Sequence, residues 1–86
     1  MLVLLKTSEY LSIPISEILG TSRKAEIVKA RAFITGYLRM QKVTQREVAE
    51  LLNKERSTVD HYTKLCRVDY RKEFDKFIEH YDDGIL

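Results

Sequence analysis

Cysteines, chain breakers and long apolar runs are all scarce in this chain. Its single cysteine allows no internal disulfide, which excludes a cross-linked secreted scaffold. One proline, three glycines and no low-complexity or Ser/Gly-rich stretch exclude a linker or a disordered tail. The opening apolar run, residues 2–5, is cut by Lys6 and is too short for a signal-peptide core or a membrane span. No Gly-x-x-x-x-Gly-Lys-Ser/Thr segment occurs, so the phosphate-binding loop of an ATPase or kinase is missing. A cytoplasmic protein without a membrane partner is the expectation.

What remains is the material of one domain, residues 1–86, with 44% apolar and 33% charged residues. A chain of this size buries only roughly 60% of its unfolded surface, so its core must be compact. The net charge of +2 is unevenly spread. Residues 1–20 carry −1, residues 21–46 carry +6, residues 47–67 are neutral and residues 68–86 carry −3. A basic block inside an otherwise neutral chain is a candidate footprint for a polyanion; its other reading is a solvated helix face.

The hydrophobic spacing is helical throughout, and no run alternates long enough for a strand, so the class is all-α. A first helix should end near Leu11, because Pro14 discourages helix before it. Ser16 reads as the N-cap of a short helix through Leu19, with Gly20 as its stop. Ile27, Ala30, Ile34, Tyr37, Leu38 and Gln41 mark a long helix, its apolar arc widened by Phe33 and Met40. Its opposite face should carry a polar stripe of Arg31, Thr35, Arg39 and Lys42. Thr44 followed by Glu47 is a capping box, so another helix starts there. It should stop around Asn53, Lys54 and Glu55, asparagine being tolerant of a left-handed turn. Ser57, with Asp60 three residues on, reads as a second cap. An acidic helix over about 69–82 carries Tyr70, Phe74, Phe77, Ile78 and Tyr81 on one side. That stripe is either core or a surface for a protein partner or self-association.

Residues 44–66 therefore form two short helices joined by a tight turn, the helix-turn-helix pattern. Ala49 is the small residue at the crossing, Asn53 the turn residue, and Val59 the apolar anchor, with Tyr62 a turn later. Glu55, Arg56, Ser57, Thr58, His61 and Lys64 then point outward, where such side chains reach base edges and phosphates. The other reading is a helical hairpin that only packs.

The resemblance extends beyond the hairpin. Leu19-Gly20-Thr21-Ser22-Arg23-Lys24, Ile27-Val28-Lys29-Ala30-Arg31, a long apolar helix, Thr44, Glu47 and Ala49, and Arg56-Ser57-Thr58-Val59-Asp60-His61 occur in one order. Over roughly residues 9–65 the chain resembles the C-terminal DNA-binding domain of DnaA, the bacterial replication initiator. The resemblance implies a compact bundle of about five to six helices, of the Trp-repressor-like kind, that binds specific double-stranded DNA. It implies a role in replication initiation or transcription regulation. It makes Arg23 a minor-groove arginine and Arg31 and Arg39 phosphate contacts. Ser57 and Thr58 match the family's two base-facing threonines. Lys24, Gln45 and Arg46 complete the candidate DNA-contact set. The turn is one residue shorter than the family's and lacks its paired glycines. Glu55 and Arg56 stand where the family has Asp-His, Asp60 replaces an apolar residue, and Tyr62 a small one. Fold and DNA binding carry over, but the target sequence does not.

No enzyme, cofactor or metal site is expected. His61, Cys66 and His80 lack metal-ligand spacing, and Cys66 reads as a small buried apolar group. The alternative function is a protein-interaction module on the same scaffold, favoured by the acids Glu55 and Asp60 and opposed by the basic block.

Overall fold

The computed structural model describes residues 2–85, with side chains through Tyr81. It contains six α-helices: α1 (Leu2–Leu11), α2 (Ile15–Ile18), α3 (Ala25–Met40), α4 (Gln45–Leu52), α5 (Arg56–Arg67) and α6 (Arg71–Ile85). No strand occurs among the described residues.

Three helices end by the same closure. Ser12, Lys42 and Asn53 adopt the left-handed region, with φ of 56°, 65° and 57°. Each time the next residue's N–H returns to a carbonyl five residues back: Ile13 to Ser8, Val43 to Leu38, and Lys54 to Ala49, at 3.0, 3.0 and 2.9 Å. This closure satisfies carbonyls that a helix end would otherwise leave unpaired. Starts are less uniform. Thr44 Oγ1 accepts the Glu47 N–H at 3.2 Å, as its position before Glu47 predicts. Ser16 and Ser57 are not caps. Pro14 and Glu55 precede the two helices, without a side-chain hydrogen bond, and the serines lie inside the first turns. At Ser57 the reason is the preceding closure, which leaves Glu55 extended at φ −77° and ψ 156° and starts α5 two residues sooner than a Ser57 cap would. Beyond it, α6 continues past the expected end near residue 82 to Ile85.

The core forms around α3, which packs against each of the other five helices. Ile27, Ala30, Phe33, Ile34 and Leu38 are buried there, facing Val3 and Leu4 of α1, Val59, Tyr62 and Cys66 of α5, and Phe74 and Phe77 of α6. Phe33 stacks on Phe77 with ring centroids 5.1 Å apart. The aromatic stripe of α6 is thus core: Phe74, Phe77 and Tyr81 are buried. Two expectations for α3 change. Met40 is 57% exposed, so it does not widen the apolar arc. Arg31 and Thr35 are buried, so the polar stripe is solvated only at Arg39 and Lys42. The cause is that α3 is enclosed from Ala30 through Thr35, with α2 and the following loop covering the face that a two-sided helix would show to water.

Gly36 sets how closely α3 approaches its neighbours. A Cβ there would collide with Cys66 Sγ and stand 3.0 Å from Phe74 Cζ. Burial pushes the Cys66 thiol up to about 12, so it packs as a neutral small group.

Candidate nucleic-acid interface

The α4–α5 hairpin follows from its residues. Val48, Ala49 and Leu52 are buried on α4; Val59, Tyr62 and Cys66 are buried on α5. Both helices bury one stripe and expose the other, so the turn must present the outward face of α5 beside the end of α4. Asn53 makes that turn. Gln45 on the first turn of α4 is half-buried, and its Nε2 donates to the Arg56 carbonyl at 3.3 Å, tying the starts of the two helices.

At this junction lies an open cleft lined by Arg23, Arg46, Lys54, Arg56, Ser57 and Thr58, among others. Four cations from four different segments converge there: the loop before α3, α4, the turn and α5. No side chain caps the start of α5, so its first N–H groups are open to an anion. Glu50 and Glu55 also line the cleft, and Arg46 lies 3.6 Å from Glu50. His61 and Lys64 continue the exposed face along α5, where Lys64 lies 3.6 Å from Asp60. Lys24, the residue before α3, is exposed.

Arg31 is not in this cleft. It is 2% exposed, and its guanidinium is committed to four backbone carbonyls. Nε donates to Ile18 at 2.7 Å, Nη1 to Ser22 at 2.6 Å, and Nη2 to Gly20 at 2.9 Å and Glu17 at 3.2 Å. These carbonyls come from the end of α2 and the loop leading to Arg23. The phosphate contact expected of Arg31 is therefore replaced by a clamp. A planar fork with five donors fits a curved row of carbonyls, and such a pairing is what a buried cation requires. Arg39 is exposed, but at the far end of α3, where Nη1 donates to the Val43 carbonyl at 2.9 Å. It lines a different groove, shared with Lys64.

Lys54 was not singled out from the sequence, yet it joins the two halves of the cleft. Its Nζ donates to the Gly20 carbonyl at 2.6 Å, linking the hairpin turn to the clamped loop. Burial, then the neighbouring charges of Arg31 and Arg23, lower its pKa below the ordinary 10.5. An anion in the cleft would relieve that repulsion. A usable signal was its place in the turn, immediately before the outward-facing residues of α5. No group of three or more potential metal ligands occurs among the described residues.

No family model, no curated protein and no solved structure matches the chain.

Proposed function

We propose that this chain binds double-stranded DNA through its helix-turn-helix, with α5 entering the major groove. The observation that carries the reading is the cleft: Arg23, Arg46, Lys54 and Arg56 converge on the uncapped start of a helix whose outer face is polar. Arg23 and Arg46 grip backbone, Arg23 reaching toward the minor groove. Arg56, Ser57, Thr58 and His61 read base edges. The resemblance to the DnaA C-terminal domain supports the same assignment, and with it a role in bacterial replication initiation or transcription regulation. No catalytic step belongs to this reading.

Glu50 and Glu55 in the cleft, and Asp60 beside Lys64, favour a second reading, a protein-interaction module that no longer binds DNA. One titration separates the two. With roughly four phosphates neutralised, log K for a random duplex should fall with log salt at a slope of about −3 to −4. Absence of duplex binding at low salt would leave the protein-interaction reading standing.

A further inference from the structure

Five large apolar side chains are exposed among the described residues: Leu2, Leu5 and Tyr10 on α1, and Met40 and Val68. They fall into two patches of different charge. Met40 and Val68 line a groove of about 700 Å³ between the ends of α3 and α5 and the start of α6. Arg39, Lys64, Arg67 and Arg71 line it too, against Asp75 alone on the acidic side. Arg67 and Arg71 have no carboxylate partner among the described residues. Exposed apolar groups flanked by unpaired arginines have the composition of an interface core.

The chain carries the complement of that groove. Leu2, Leu5 and Glu9 stand at helical spacing on α1, all exposed, so they form one stripe of two apolar side chains and a carboxylate. Tyr10 packs on His80 of α6 with ring centroids 5.0 Å apart, which places Glu79 in the same neighbourhood and adds a second exposed acid.

We propose that copies of this chain associate head to tail, the α1 stripe of one copy (Leu2, Leu5, Glu9) seated in the groove of the next against Met40, Val68 and Arg67. DNA phosphates are a poorer occupant, because they gain nothing from Met40 and Val68. The two patches are different surfaces of one molecule, so the contact is heterologous and each copy keeps one free end. One exposed helical stripe buries less than the roughly 1,200 Å² of a standard interface, so the association is weak in free solution. It would gain strength where neighbouring copies are held together.

Sedimentation equilibrium of the full chain tests this without reference to DNA binding. The weight-average mass should rise above 10.1 kDa as concentration increases toward about 1 mM, and less so at high salt. Leu5→Glu and Val68→Glu should each remain monomeric and folded by circular dichroism, since both positions are exposed. Their equimolar mixture should form a dimer and stop there, because each variant retains one intact surface. If Leu5→Glu unfolds, Glu9→Arg takes its place in the mixture. A wild type that stays monomeric throughout overturns the proposal. So does a mixture that fails to dimerise, including the case where Arg67→Gln and Arg71→Gln instead weaken duplex binding and assign the groove to DNA.

Discussion

Arg31 is held by the shape of its side chain as much as by its charge. A guanidinium offers five donors in one plane, and four hydrogen bonds from Arg31 reach the carbonyls of residues 17, 18, 20 and 22. Lysine keeps the charge but offers a point donor on a flexible stem. Arg31→Ala should therefore destabilise the fold by about 3–5 kcal/mol, with Arg31→Lys recovering only part of that. Against a total stability of about 5–15 kcal/mol for a domain, either change should move the urea midpoint visibly. An unchanged midpoint with weaker duplex binding would restore Arg31 to the phosphate-contacting role that the resemblance implies. The sequence could not distinguish these roles by spacing. Arg31 lies in register with Arg39 and Lys42 but is covered by a loop, and helical periodicity carries no information on what a distant loop covers. The closest local sign was the run from Ala30 to Thr35, in which only Arg31 and Thr35 are polar.

Three helix boundaries were legible, because their causes are local. Pro14 stops α1 just beyond Leu11, Thr44 caps α4, and Asn53 makes the hairpin turn in a left-handed conformation. The buried stripe of α5 was equally readable, since Val59, Tyr62 and Cys66 follow helical spacing. Two features could not be read: the left-handed residue that ends α3, where no glycine or asparagine marks it, and the contacts of Gly36, which depend on partner helices. Lys42 takes φ 65° at the end of α3, a geometry that a Cβ penalises. Lys42→Gly should raise stability by about 1 kcal/mol, measured by thermal unfolding. Gly36 lies in mid-helix, where glycine is a weak helix former. Alanine there gains about 1 kcal/mol in helix propensity, yet its Cβ would meet Cys66 and Phe74. The clash dominates in a packed core, so Gly36→Ala should be net destabilising by about 1–3 kcal/mol. A neutral Gly36→Ala would mean that α5 and α6 can withdraw from α3 at little cost.

Across the whole molecule, the +6 charge of residues 21–46 does not form a single patch. Arg23 and Arg46 reach the cleft at the start of α5, Arg31 turns inward, Arg39 faces the groove at the far end of α3, and Lys29 pairs with Glu73 of α6 at 2.9 Å. The basic block visible in the sequence is thus divided among a clamp, an ion pair and two separate surfaces. The cleft recovers its cationic density only by borrowing Lys54 and Arg56 from the neutral segment that follows. This division determines which substitutions should act on grip and which on reading. Arg23 stands on the clamped loop rather than on α5 itself, so Arg23→Ala should weaken preferred and random duplexes alike. It should also make the salt slope less negative by about one. Arg56 opens α5 beside Ser57 and Thr58, so Arg56→Ala should cost about 1–3 kcal/mol on the preferred duplex and little on a random one. Site selection with the wild type and each variant, followed by titration on the selected and scrambled duplexes, measures both effects. If Arg23→Ala changes the selected motif while Arg56→Ala lowers all affinities equally, the loop reads and α5 grips. The docking would then have to be turned so that the loop before α3, rather than the hairpin, faces the base edges.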